Sequence, residues 1–447
     1  MKKIGIFLFI ILLIGLLLYP VTQTKEEEKT GVEIEETQLN GLVLKTSENK
    51  ITIQDENNII YTFETTPKDI AVGDSITLKY EGTLNKNQEY QTIEITSLKK
   101  QEEPLKLNPN DMFGSYYDVA EEKLATMNLS EKIAQLLLVR YPDTKEQEIT
   151  KQYQFGGYVF FAKDFKGKNK EQVQTMIQNL QNVSKIPLLT AVDEEGGAVV
   201  RISSNPLLRK EKFSSSQELY QEGGFARIKE DTIEKSKLLQ ELGINLNLAP
   251  VVDVSENPSD YMYKRSFGQN TELTNIYAET VISSSKGLGV SYTLKHFPGY
   301  GNNTDTHDEV SVDNRSKESI LEKDLPPFNS GIKKGAEAVL VSHNLVSAID
   351  KENVASLSPS IHNLLRNELS FSGIIITDDL AMGAVENTEA SCVNAILAGN
   401  DLLIVTDYQT CFNAINAAVH NNQIPESYID KLTTRVIAWK YFKGLLT

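Results

Sequence analysis

Cysteine is nearly missing from this chain of 447 residues: Cys392 and Cys411 are the only two. Two thiols cannot staple a fold of this length, so its cohesion must come from an apolar core. Oxidising surroundings would permit a bridge between them, but two buried free thiols are the expected state, and neither is assigned a function. An excess of basic charge is also lacking. The net charge of −16 argues against nucleic acid as a partner and offers no polybasic patch to a membrane surface. No cysteine stands near the N-terminus to be acylated. No glycine-rich phosphate fingerprint follows the first strand candidate, which weakens a doubly wound open sheet. No metal and no cofactor are called for.

What is present is the balance of a folded soluble protein, with 40% hydrophobic and 24% charged residues. Lys2 and Lys3 precede an apolar run over residues 4–19, followed by Pro20 and a polar, charged stretch. That is the layout of an export signal. The run is shorter than the roughly 20 residues of a comfortable membrane span. No small-x-small cleavage site is evident, so residues 1–24 read either as a removed signal or as a retained anchor. Either way the body is expected outside the cytoplasmic membrane, extracellular or at the cell surface, touching membrane only through this segment.

Residues 31–100 alternate apolar and polar side chains in five short runs, at 41–44, 50–53, 59–63, 75–80 and 91–95. Turn formers such as Val72-Gly73-Asp74 separate them. A small all-β domain is expected, a barrel or sandwich of OB-like size, serving as a spacer or as a carbohydrate-binding module. Gln101-Glu102-Glu103-Pro104 reads as the linker.

From about residue 108 to 447 the pattern becomes apolar strands alternating with amphipathic helices, the mark of parallel βα units. Strand candidates lie at 134–139, 157–161, 187–192, 245–251, 290–294, 338–341, 373–376 and 401–405, with helices such as 171–183, 227–242, 274–287 and 361–368 between them. Eight repeats predict an α/β fold of the (β/α)8 TIM-barrel type. Several strands end in an ionisable group: Asp193, Asp253, Lys295 with His296, His343, Asp378 and Asp407. One such aspartate could be a helix cap. A ring of them, facing one barrel mouth, is better explained by a polar substrate.

Two constellations carry chemistry. Thr377-Asp378-Asp379 closes the seventh strand with paired carboxylates. Asp378 can aim into the mouth, with Lys295 and Arg201 as candidates to hold it ionised, while Asp379 reads as a cap of the next helix. Asp305-Thr306-His307 lies in the polar loop beyond Lys295-His296-Phe297-Pro298-Gly299. An imidazole with an intrinsic pKa near ~6.5 can give and take a proton around neutrality, and an adjacent carboxylate fixes its tautomer. A carboxylate on one face of a sugar and a proton donor at the leaving oxygen are what glycoside hydrolysis needs.

At this point the chain resembles glycoside hydrolase family 3, in particular its β-N-acetylglucosaminidase (β-hexosaminidase) branch. The likeness is carried, over roughly residues 108–447, by Asn128-Leu129-Ser130-Glu131-Lys132-Ile133-Ala134-Gln135-Leu136, by Asp193-Glu194-Glu195-Gly196-Gly197 with Arg201, and by Arg265-Ser266-Phe267-Gly268. The Lys-His-Phe-Pro-Gly segment, Asp305-x-His307 and Thr377-Asp378-Asp379-Leu380-x-Met382 complete it. The resemblance implies that Asp378 is the nucleophile of a covalent glycosyl-enzyme and that His307, paired with Asp305, is the general acid and base. It implies that Asp193, Arg201, Arg265, Lys295 and His296 bind the sugar. An internal Asp-His pair is the feature that selects the N-acetylglucosaminidase branch. The expected substrate is terminal GlcNAc on peptidoglycan-derived fragments. Ala198, Glu194, Tyr300 and Lys264 depart from the usual Arg, Gln, His and Asp of the family's motifs, and these departures bear on substrate preference. A phosphorylase, a β-glucosidase or β-xylosidase of the same family, and a non-catalytic glycan-binding surface protein are the alternatives.

Overall fold

The computed structural model describes residues 37–55, 59–68, 70, 75–85, 91, 93–100, 107–301, 303, 310–383, 385 and 388–447. The apolar segment within residues 1–24 and the linker lie outside them. No helix among the described residues is long and apolar enough to cross a membrane.

Five strands come first: β1 (Thr37–Ser47), β2 (Lys50–Asp55), β3 (Ile60–Glu64), β4 (Ser75–Glu81) and β5 (Glu94–Lys100). Their alternation works as the pattern requires. Ile51, Ile53, Tyr61, Phe63, Ile76 and Leu78 all turn into one cluster separate from the rest of the molecule's core. The sheet runs β3-β2-β1-β4-β5 with antiparallel pairing throughout. A parallel bridge between Phe63 and Gln91 draws its two edges together, which shortens the exposed edge and suits the small-barrel expectation. The last strand starts three residues later than the pattern suggests, because Gln91 contributes only that bridge.

The remainder is a parallel barrel built from β6 (Leu137–Arg140), β7 (Gly157–Phe160), β8 (Leu189–Val192), β9 (Leu246–Asn247), β10 (Ser291–Phe297), β12 (Ala338–Val341), β14 (Ile374–Thr377) and β15 (Leu403–Val405). A minor pair, β11 (Val312–Asp313) and β13 (Leu345–Val346), sits among its loops. The eight strands lie in the order β14-β12-β10-β9-β8-β7-β6-β15, and the bridge Ile376↔Leu402 brings the ends round to meet. The strands are buried on both faces, one toward the barrel interior and one toward the helices, so largely apolar runs rather than strict alternation mark most of them.

Boundaries moved where periodicity is ambiguous. Ala134 belongs to the helix Leu129–Gln135, opened by a capping box between Asn128 and Glu131, and β6 starts only at Leu137. A fully buried apolar run satisfies helix and strand alike. Only Leu246–Asn247 of the fourth candidate pairs as a strand, with Pro250 a few residues on lacking a donor. The helix expected from 227 starts at Ser216, broken by non-helical backbone at Gly223 and Gly224. The one expected at 361–368 is a short α-turn, Pro359–Asn363, running into a π-helix, Leu364–Glu368. Cys392 and Cys411 are joined as a disulfide, contrary to the free thiols expected. Their helices, Thr388–Ala398 and Tyr408–His420, pack side by side and turn the two residues toward each other.

The foot of the barrel, at the strands' N-terminal ends, is closed by the last helix, Glu426–Phe442. Its Arg435 donates to the carbonyls of Ser372 and Gly373 ahead of β14, and Trp439 donates to Glu337 Oε2 at 2.7 Å ahead of β12. Lys440 reaches the Gly156 carbonyl ahead of β7 at 2.9 Å, and burial pushes its amine down to about 7. Asp401 binds this foot together. Fully buried, it accepts from Arg435 Nε at 2.7 Å, Arg366 Nη2 at 2.6 Å and the Ile375 amide at 2.7 Å. Asp401→Ala would strip Arg366 of its ion-pair partner and leave the buried Arg435 only the more distant Asp111, at 3.7 Å. A loss of about 3–5 kcal/mol is expected, read as a lower urea midpoint at unchanged slope.

Candidate active site

The mouth is assembled from consecutive strand ends. Asp193 follows β8, and Asp253 lies in the loop after β9. Lys295 and His296 are the last turnings of β10 itself, which extends to Phe297 rather than stopping at Leu294. His343 follows β12 and Asp378 follows β14.

The buried ammonium of Lys295 is held 2.7 Å from Asp193 Oδ1 and 2.7 Å from Glu195 Oε1. Arg265 grips the same Glu195 with both arms of its fork, Nε to Oε2 at 3.1 Å and Nη2 to Oε1 at 2.7 Å. Burial alone would push Glu195 up and Lys295 down; their attraction, with that of Arg265 and Asp193, wins on both sides. Glu195 is held well below the usual carboxylate range and Lys295 stays charged. Arg201 Nη2 approaches Asp193 Oδ2 at 3.7 Å. On the other side, Asp253 accepts from His296 Nδ1 at 2.7 Å and from the Tyr300 amide at 2.7 Å. His296 Nε2 lies 3.4 Å from Arg265 Nη2. Asp193, Arg201, Arg265, Lys295 and His296 therefore form one connected group.

Asp378 stands beside it. Burial pushes its carboxyl up, but His343, His296, the amide of Asp379 and Lys295 together hold it below the ordinary aspartate value. His343 touches Ser356 Oγ through Nδ1 at 2.7 Å and the Asp379 carbonyl through Nε2 at 3.0 Å. Asp379 turns away from the mouth, accepting from the Ala381 amide and Thr406 Oγ1, and its carboxyl is pushed up by burial and by Asp378. It therefore secures a local turn instead of capping the next helix, which starts only at Thr388. Asp407 also leaves the ring. It is an exposed N-cap of Tyr408–His420, accepting from the Thr410 amide and hydroxyl.

Asp305 and His307 lie outside the described residues. The chain on either side of them is pinned. Gly299 has φ +121°, and a Cβ there would stand 2.4 Å from Asp324 Cβ, so glycine is required. Arg315 binds Asp313 and Asp324, each at 2.7 Å, and Val312–Asp313 pairs with Leu345–Val346.

Glu195 is the residue that sequence reasoning passed over, although three consecutive acids before Gly196-Gly197 demand cations nearby. Glu194, by contrast, works on the backbone. Wholly buried, it accepts from the amides of Arg201, Ile202 and Ser203 and from Ser203 Oγ, folding the loop that presents Arg201. Of the other departures, Ala198 and Lys264 are exposed. Tyr300 is buried, with its ring 5.7 Å from that of His296.

Residues 128–439 match the glycosyl hydrolase family 3 N-terminal domain. The chain belongs to glycosyl hydrolase family 3. It is 32% identical over 270 residues to a β-hexosaminidase of Glaesserella parasuis, covering 58% of this chain and 76% of that one. A β-hexosaminidase of Psychromonas ingrahamii is 32% identical over 275 residues, covering 59% and 78%. The structure of a family 3 β-N-acetylglucosaminidase from a Paenibacillus species superposes with a TM-score of 0.67 at 28% identity. That superposition covers 72% of this chain and 63% of the Paenibacillus chain. The family 3 chain is thus a glycoside hydrolase and sits with the β-hexosaminidase branch, as its motifs imply.

Lys295 is one of the charges that keep Asp378 ionised. In Lys295→Gln that stabilisation of the carboxylate is lost, the Asp378 pKa rises, and the acid limb of a kcat/KM–pH profile should move to higher pH. A pH profile of a chromogenic glycoside measures this directly.

Proposed function

We propose that this family 3 enzyme is a retaining exo-β-N-acetylglucosaminidase that removes terminal GlcNAc from peptidoglycan-derived fragments outside the cytoplasmic membrane. The observation that carries the reading is Asp378: a carboxylate at a barrel-strand end, kept ionised by neighbouring positive charge and flanked by a preassembled polar group. In the proposed reaction His307, oriented by Asp305, protonates the glycosidic oxygen as Asp378 attacks the anomeric carbon from the opposite face. The bond to the leaving sugar breaks and a glycosyl–Asp378 ester forms. His307, now neutral, takes a proton from water, which displaces Asp378 and releases GlcNAc with its configuration retained. Asp193, Arg201, Arg265, Lys295 and His296 hold the sugar. No metal enters this scheme.

The export-type segment within residues 1–24 supports placement at the cell surface or beyond, where wall fragments are found. The sheet Thr37–Lys100 would then be a spacer between membrane or wall and the catalytic barrel of residues 108–447. The β-hexosaminidase names of the relatives support GlcNAc over glucose.

The test is hydrolysis of paired aryl β-glycosides of GlcNAc and glucose. Turnover of the GlcNAc glycoside is expected, with a loss of about 10⁴-fold or more in Asp378→Ala. Survival of activity in that variant would remove Asp378 from the mechanism. His307→Ala should cost less on aryl glycosides, whose good leaving groups need little protonation, than on disaccharides. Added phosphate should yield free GlcNAc and no sugar phosphate.

A further inference from the structure

The turn that carries Asp378 is tied down one residue at a time. Asp378 donates its amide to the Val341 carbonyl at the end of β12, at 2.9 Å, and Leu380 donates to the Ile404 carbonyl of β15 at 3.0 Å. Between these two ties the Asp379 carbonyl meets a side chain, His343, whose Nε2 lies 3.0 Å away. A carbonyl oxygen only accepts, so Nε2 carries a proton and donates. The imidazole is wholly buried, and its Nδ1 lies 2.7 Å from Ser356 Oγ. Ser356 is buried too and fastened through its backbone. Its amide donates to the Ser342 carbonyl at 2.9 Å, and its carbonyl accepts from Asn400 Nδ2 at 2.8 Å.

The effect reaches the carboxylate through a single residue. The peptide between Asp379 and Leu380 is held at both poles, its N–H by Ile404 and its C=O by His343. The adjoining peptide supplies the Asp379 amide, which donates to Asp378 Oδ1 at 2.9 Å. Burial raises the Asp378 carboxyl, and His343 heads the influences that lower it, so the ring favours the charged state as well as the position. A reacting atom misplaced by about 1 Å can cost about 100-fold in rate, so a support one residue removed bears on the chemistry.

We propose that His343 is a positioning residue for the nucleophile: by holding the Asp379 carbonyl it keeps the Asp379 amide on Asp378 Oδ1 and leaves Oδ2 for the anomeric carbon. This rests on the reading of Asp378 as nucleophile and adds what aims it. In the first step an Oδ2 electron pair forms the ester bond as the bond to the leaving oxygen breaks. In the second, water takes the anomeric carbon and the pair returns to Oδ2. His343 touches no reacting atom and works through the Asp379 peptide in both steps, so its loss falls on kcat and not on KM.

The experiment uses the full chain. His343→Leu fills the space without a donor, whereas His343→Gln keeps an N–H to offer the carbonyl. On an aryl β-GlcNAc glycoside His343→Leu is expected to lower kcat about 100-fold with KM changed less than about twofold. His343→Gln should recover about tenfold of that loss. Labelling by the 5-fluoro glycosyl fluoride of GlcNAc, followed by mass as the ester on Asp378, isolates the attack, and its rate should fall in the same order. GlcNAc, as a competitive inhibitor, should bind the variants as it binds the wild type. Should His343→Leu fail to fold, Ser356→Ala removes the partner of Nδ1 and is expected to slow labelling about fivefold at unchanged GlcNAc affinity. Labelling as fast in the variants as in the wild type overturns the role. So does a loss carried by KM and GlcNAc affinity with no recovery in His343→Gln. If the wild type is neither labelled at Asp378 nor active on the glycoside, the nucleophile assignment has failed and the positioning role falls with it.

Discussion

The ammonium of Lys295, buried between Asp193 and Glu195, is the contact on which the mouth depends. Each member would be costly alone in that setting: an unpaired buried charge destabilises by several kcal/mol or gives up its proton. Together, and with Arg265 clasping Glu195, they compensate one another and fix four side chains from three strand ends relative to one another. The geometry of the proposed sugar-binding group is thus fixed by the protein's own contacts, so under that proposal little reorganisation is needed at binding. The same cation contributes to the field that keeps Asp378 charged.

The two ends of the barrel solve opposite problems. At the foot, Asp401, Arg366, Arg435, Trp439 and Lys440 use every polar atom they can on backbone carbonyls and on one another. At the mouth, Arg140 and the Nε of Arg201 have donors that no described residue accepts. Unsatisfied donors are a cost at a foot that must hold the chain together and an asset at a mouth that must recognise something.

Much of this was legible in the sequence. Eight apolar runs set the barrel because strands covered on both faces need continuous hydrophobicity, and ionisable residues at their ends located the mouth. Asp407 was misplaced because an aspartate at a strand end serves a helix N-terminus equally well. The Asp407-x-x-Thr410 spacing, with a hydroxyl three residues on, is the signal that separates the cases. Asp379 differed for a related reason: adjacent carboxylates cannot both face one site cheaply, and this one turned toward Thr406. Glu194 and Glu195 look alike in the sequence yet diverge completely. One binds amides of its own loop and the other binds side chains from β10 and from Arg265, distant in sequence. Only the fold tells a residue which neighbours it will meet. The Cys392–Cys411 bridge likewise depended on the packing of two helices that sequence spacing alone does not bring together.

Trp439 is the chain's single tryptophan, wholly buried at the foot with its indole donating to Glu337 and with the Lys443 ammonium 5.5 Å from its ring. Selectively excited indole emission therefore reports on one place, the closure beneath the strands, at the end of the barrel opposite Lys295 and Asp378. The protein carries its own optical gauge of barrel integrity, one that follows melting while staying indifferent to occupancy of the opposite rim.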